Sequence, residues 1–244
     1  MSENAASGRY AAEEQRIKDV YASRRASVSP DLYSDLNPGN LLITQELERR
    51  IMHIFRLQKL QTLAQARVLE VGCWQAFWLR KFVQWGARPE NVVGVDLLPE
   101  ELAQARELSP PAVQFECGNA ADLRYPDESF DIVCQFTVFT SVLDEQLRMK
   151  MAQEMLRVLR PDGFILWYDF FLSNPRNPNV CGIGKQEIAR LFPGCRYHLQ
   201  RTTLAPPLAR RVAPMSSSLY GLLSALKILN SHYVGFIQEC PAVH

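Results

Sequence analysis

The chain has 244 residues, 47% of them hydrophobic, which is enough to bury a full core in one domain of ordinary or slightly large size. Lys and Arg number 27 against 26 Asp and Glu, so no excess of positive charge exists to drive counterion release from a phosphate backbone, and no nucleic-acid partner is expected. No stretch reaches the roughly 20 uninterrupted apolar residues of a membrane span, and the opening MSENAASGRYAAEEQR is polar and carries acids, unlike a signal or transit peptide, so a cytoplasmic location is expected.

In chain order, a helix is predicted from Ala11 to Ala22, where Ile17, Val20 and Tyr21 recur at helical spacing among charges. Pro30 and Asn37-Pro38-Gly39 then break regularity. The stretch LLITQELERRIMHIFRLQKLQ reads as a long helix with Leu47, Ile51, Ile54 and Leu57 on one face. Residues 1–66 thus form a helical extension, expected to serve as a lid, and residues 67–244 a single globular unit.

From Arg67 the rhythm changes. The apolar runs RVLEVG, NVVGVD, AVQFEC, FDIVCQF and GFILWYDF alternate with the helix-like segments FWLRKFVQWG, PEELAQARELS and EQLRMKMAQEMLRVLR. Strands without polar interruption are buried on both faces, which predicts an α/β fold with a doubly wound, mostly parallel sheet and its ligand crevice at the carboxyl ends of the strands. NPRNPNVCGIG is a loop and KQEIARLF a short helix, while CRYHLQRTTL and HYVGFIQEC read as a late antiparallel pair. Between that pair lies an apolar insertion, 204–231. Its stripe of Leu219, Leu222, Leu223, Leu226 and Leu229 fits packing on the sheet with partial pocket cover, and an apolar-substrate cover, a membrane contact or a dimer contact are the alternatives. The cysteines Cys73, Cys117, Cys134, Cys181, Cys195 and Cys240 contain no CxxC pair, so they read as reduced thiols with no metal site. The four histidines, His53, His198, His232 and His244, read as structural or surface groups.

VLEVGC, GVDLLPEELAQAR, CGNAADLRYPDESFDIVCQF and EMLRVLRPDGFILWYDF follow one another in an order that resembles the class I S-adenosylmethionine-dependent methyltransferases, in their small-molecule branch, over roughly residues 67–203 with the closing strand 232–238. The resemblance implies a Rossmann-like seven-stranded sheet with helices on both faces. It also implies S-adenosylmethionine as cofactor, S-adenosylhomocysteine as product and no metal. Glu70 then orients the first loop and helps hold the methionine ammonium, and Gly72 lets the backbone approach the ligand, with Cys73 and Trp74 beside it. An N-terminal helix-dipole acid is the other reading of Glu70. Asp96 matches the acid that accepts from both ribose hydroxyls, although an Asp ending a strand also serves as a turn residue. Leu97 then packs on the adenine face, Asn119 and the Ala120 backbone read the adenine edge, and Gln135 and Phe136 complete the expected cofactor-binding residues.

Two positions depart from the family pattern: Trp74 and Ala76 replace residues that are usually small or glycine. Ser141 stands where many relatives carry a histidine, so no general base is evident there. Phe136 and Phe139 fit either a methyl-transfer channel or the core. The resemblance leaves Asp169 and Tyr168 as catalytic candidates, Asp169 equally readable as a loop cap. Tyr21, Tyr33, Asn174, Arg176 and Asn177 are candidates for contact with a small-molecule acceptor, expected to offer a hydroxyl oxygen of a sugar or other metabolite. A homodimer is compatible with the sequence. RNA methylation is disfavoured by balanced charge and the absence of an NPPY-type motif, and a degenerate, non-catalytic binding or regulatory subunit is the reading that Trp74 supports.

Overall fold

A computed structural model of the chain describes residues 3–27, 29–174 and 177–239; Arg176, Cys240 and His244 lie outside the described residues. Seven strands form one sheet in the order β3-β2-β1-β4-β5-β7-β6. They are β1 (Val68–Val71), β2 (Val92–Asp96), β3 (Gln114–Cys117), β4 (Phe130–Phe136), β5 (Leu159–Phe170), β6 (Cys195–Leu204) and β7 (Asn230–Glu239). The first five are mutually parallel, and β7 runs antiparallel to both β5 and β6. The strand order therefore reverses beside β1, and the loops leaving β1, β2 and β4 share one crevice. This is the Rossmann-like sheet that the alternating pattern predicts.

The helices are α1 (Glu3–Ser27), α2 (Pro38–Leu57), α3 (Phe77–Gln84), α4 (Pro99–Leu108), α5 (Glu145–Arg157), α6 (Lys185–Leu191), α7 (Pro206–Val212) and α8 (Ser217–Ala225). Each sheet face carries its own apolar layer. Leu69, Val71, Val133 and Trp167 lie under Ile17 of α1, Met151 of α5 and Ile188 of α6, whereas Val68, Val92, Leu166 and Tyr168 lie under Ile51 of α2, Phe82 of α3 and Leu102 of α4. Each such fully buried side chain contributes about 1.5–3 kcal/mol relative to exposure. The start of α2 is set locally: Asn37 caps it by accepting the Gly39 N–H at 3.0 Å, and Pro38 occupies its first turn, where a missing N–H costs nothing.

Several boundaries differ from expectation. Helix α1 begins well before Ala11, in a stretch whose polar residues give no apolar period to read. Helix α2 stops at Leu57, and Leu57 itself is exposed, because Phe55 takes the next core position. The helix predicted through Arg160 ends at Arg157; Leu159 and Arg160 join β5, where Leu159 pairs with Phe130 across a register shift. The insertion departs most. It forms α7 and α8, and Leu219, Leu222, Leu226 and Leu229 are exposed instead of packed, since α8 turns Tyr220 and Ser224 inward; only Leu223 of the stripe is partly covered.

Candidate functional site

The crevice begins with the loop after β1. Gly72 has φ +66°, and a Cβ there would stand 2.4 Å from a methyl of Val138, so both conformation and space require glycine. The Gly72 and Cys73 N–H groups donate to the Val95 carbonyl at 2.7 and 3.1 Å, tying the loop to β2. Trp74 (φ 48°) and Ala76 (φ 59°) keep the left-handed backbone that glycines usually supply, and Thr137, just after β4, has φ 60°. Three non-glycine residues in this region, at the ends of neighbouring strands, mark a site where strain is held by its surroundings. Part of that support is visible: the Trp74 N–H donates to Asp96 Oδ2 at 2.8 Å, and the Trp74 ring packs against Tyr21 of α1 with centroids 5.2 Å apart.

Asp96 ends β2 and is buried; besides Trp74, its Oδ1 accepts the Leu98 N–H at 3.0 Å. Burial still pushes its carboxyl above the usual range, although these N–H groups favour the charged form. Glu70, 2% exposed, is pushed well above its ordinary value by burial first and by the charge of Asp96 second. Its Oε2 has no hydrogen-bond partner among the described residues. Two buried acids, one with an idle oxygen, thus lie beside a glycine that clears the backbone, and their charged forms lack compensation that a cationic ligand would supply. A ligand carrying an ammonium and a sulfonium fits that charge and those donors and acceptors. Among the described residues no three His, Cys, Asp or Glu side chains gather as a metal site.

Helix α1 lies across the crevice mouth. Glu14 Oε1 accepts from Asn119 Nδ2 at 2.6 Å, and Arg16 Nη2 donates to the Ser141 carbonyl at 2.6 Å. Tyr21 Oη and Ser141 Oγ are 2.9 Å apart, Glu13 Oε1 accepts the Leu143 N–H at 2.5 Å, and Arg25 reaches Glu101. Glu101 also accepts from Gln75 of the first loop at 2.8 Å, so one buried acid links helix and loop. Ile17 and Tyr21 pack in the same apolar layer as Leu97 and Ala120. Between α1 and residues 177–180 a cleft of about 480 Å³ is lined by Arg16, Tyr21, Ser141, Asn177 and Asn179 among others.

The two catalytic candidates part company. Adjacent strand residues face opposite sides. Asp169, fully buried, accepts from Thr140 Oγ1 at 2.7 Å and from the Phe170 and Thr140 N–H groups at 2.9 and 3.3 Å, and burial raises its pKa to about 7. It thereby fixes the turn that carries Ser141. The Tyr168 hydroxyl lies 2.9 Å from Thr203 Oγ1 while its ring stacks on His232, and burial pushes the phenol up.

The structure thus gathers Glu70, Gly72, Cys73, Trp74, Asp96, Leu97, Asn119 and Ala120 around one crevice. Gln135 is buried beside it and accepts the Val138 N–H at 3.0 Å, and Phe136 stacks on Trp78. Phe139 is core, against Trp167. Of the acceptor candidates, Tyr21 and Asn177 line the cleft; Tyr33 is exposed, bonded to Arg24 at 3.0 Å and covered by Arg210, and Asn174 lies in the loop after β5. Sequence reasoning missed Glu13, Glu14, Arg16 and Glu101, whose partners are far along the chain. The one available signal was the density of charge on α1.

Residues 68–163 match the family model described as a methyltransferase domain. The chain is 34% identical over 82 residues to a 2-methyl-6-phytyl-1,4-hydroquinone methyltransferase of Synechocystis sp., covering 33% of this chain and 25% of that protein. It is 30% identical over 172 residues to a fatty-acid O-methyltransferase of Mycolicibacterium smegmatis, covering 64% and 58%. The chain therefore spans less than two thirds of these relatives' own lengths. Among solved structures, the 1,6-didemethyltoxoflavin-N1-methyltransferase of Burkholderia thailandensis, solved with its namesake ligand and S-adenosylhomocysteine, aligns with TM-score 0.62 at 18% identity. The alignment covers 96% of this chain and 90% of that one and shows a shared fold.

Proposed function

We propose, for a chain that belongs with the class I S-adenosylmethionine-dependent methyltransferases by its sheet order and by the domain matched over residues 68–163, that it transfers a methyl group from S-adenosylmethionine to an oxygen of a small-molecule acceptor. The observation that carries the reading is the pair of buried acids, Glu70 with its idle oxygen and Asp96 at the end of β2, beside the glycine turn. When bound, the cofactor supplies an electrophilic methyl on a sulfonium with a good leaving group.

The chain's own part is placement. Glu70 would hold the methionine ammonium, Asp96 the ribose hydroxyls, and Asn119 with the Ala120 backbone the adenine edge. Asn119 is bonded to Glu14 of α1, so residues 1–66 act as a lid whose first helix exchanges that contact for the ligand. The acceptor enters the cleft between α1 and residues 177–180, where Tyr21, Ser141 and Asn177 offer hydrogen bonds to a hydroxylated molecule. Orienting an acceptor for in-line attack lowers a barrier by up to roughly 7–11 kcal/mol in favourable cases. Asp169 is a positioning residue in this scheme: it holds Thr140 and hence Ser141. Tyr168 supports the opposite sheet face. The names of the two curated relatives favour an acceptor with apolar character.

The test is calorimetric. Asp96→Ala should weaken S-adenosylmethionine binding about tenfold or more, the worth of one or two charge-assisted hydrogen bonds. Unchanged affinity in a folded variant removes the ribose assignment.

A further inference from the structure

The chain carries 27 basic and 26 acidic residues, yet from residue 188 to residue 238 it has no Asp or Glu at all, against Arg190, Arg196, Arg201, Arg210, Arg211 and Lys227. In the middle of this acid-free stretch α8 presents an apolar face to solvent. Leu219, Leu222 and Leu226, three and four residues apart, share one side of the helix. Met215 before them and Ile228 after them are 79% and 76% exposed, and Leu222 is 61% exposed. The opposite side of α8 is committed: Tyr220 and Ser224 donate to buried Glu46 of α2 at 2.9 and 2.8 Å, so the helix cannot roll to hide its leucines.

We infer that this face docks on an anionic lipid surface. Exposed Arg211 precedes these apolar side chains along the chain and exposed Lys227 falls between Leu226 and Ile228; among the described residues neither pairs with a carboxylate. Apolar side chains flanked by cations suit the boundary between acyl chains and anionic headgroups. Beside α7, exposed Leu36 shares a cleft of about 300 Å³ with Asp31, Arg210 and Pro214, and this segment, which also carries exposed Asp35, lies outside the docking face. Arg210 shares that cleft with an acid, so Arg211 and Lys227 carry the charge of the docking face. A second copy of the chain is the poorer occupant for α8 itself, because a two-fold contact would set Arg211 and Lys227 of the two copies against one another. Topology gives the face a use. Strand β6 is parallel to β5, so the α7–α8 insertion leaves and re-enters the sheet at the edge where the crevice opens. Docking itself is independent of the methyl transfer proposed above.

The experiment is sedimentation of the full chain, without cofactor or acceptor, with vesicles of phosphatidylcholine containing about one third phosphatidylglycerol and with phosphatidylcholine alone. Binding is expected to the anionic vesicles, weakened by salt. It should fall about tenfold or more in the double variant Leu222→Asn, Leu226→Asn and again in Arg211→Gln, Lys227→Gln. Amide exchange over 215–229 should slow when anionic vesicles are added, a readout that needs no variant. No sedimentation with anionic vesicles overturns the inference. So does a dimer in lipid-free solution that Leu222→Asn, Leu226→Asn dissociates, which would assign the face to a second copy.

Discussion

At the scale of single residues the crevice is a balance between strain and charge. Gly72 is the clearest case. Gly72→Ala would hold an L-residue at φ +66° and press its Cβ on Val138. A loss of at least about 2 kcal/mol is expected, lowering the melting temperature by about 4 °C or more. Adding Val138→Ala should recover only the part due to overlap; an undisturbed melting temperature in the single variant would contradict the assignment. Asp169 makes a prediction in pH. Its carboxyl titrates near 3.8 when unfolded and about 7 when folded, so the folded state holds the proton more tightly. Its contribution to stability is full below about pH 4 and is lost as pH rises through about 7. Asp169→Asn cannot titrate. The unfolding free energy of the variant should therefore gain on that of the wild type between about pH 4 and 7 and run parallel above; a constant difference from acid to neutral pH would contradict this. Turnover should fall in the same variant while S-adenosylmethionine affinity holds, as a positioning role requires. That Glu70, Gly72 and Asp96 stand together could be expected from the sequence because the family resemblance fixes their order along the strands, each having another reading when taken alone. The meeting of Asn119 with Glu14 could not, since 105 positions separate them and no periodicity records such a contact.

At the scale of elements, the join between α2 and the insertion is a polar knot inside an apolar layer. Glu46 accepts from Thr202 at 2.8 Å on one oxygen and from Tyr220 and Ser224 on the other. Glu46→Ala leaves three buried hydroxyls without that partner, and a loss of about 2–4 kcal/mol is expected in urea unfolding, with faster amide exchange over 217–225. A loss under about 0.5 kcal/mol would show that the knot is not what holds α8. The strands of the parallel sheet could be read from sequence because burial on both faces leaves unbroken apolar runs. The orientation of α8 could not. Its leucine stripe reads as a core face, and only the buried carboxylate on α2 turns the helix the other way.

At the scale of the molecule, near-neutral composition conceals an uneven arrangement. The acids are spread along the chain as far as Glu187, and the acid-free stretch gathers beyond β5. Helix α1 joins the two sides of the crevice, reaching Asn119 after β3, Ser141 after β4 and Glu101 on α4. It is held there by polar contacts and by the packing of Ile17 and Tyr21, and the lid role proposed above requires those contacts to exchange when the cofactor binds. The central claim is that Glu70, Gly72 and Asp96 form a working cofactor site despite Trp74 and Ala76. Calorimetric titration of the intact chain with S-adenosylmethionine and with S-adenosylhomocysteine tests it most directly. The account predicts micromolar binding of both; a folded chain that binds neither would contradict it and leave the fold with a non-catalytic role.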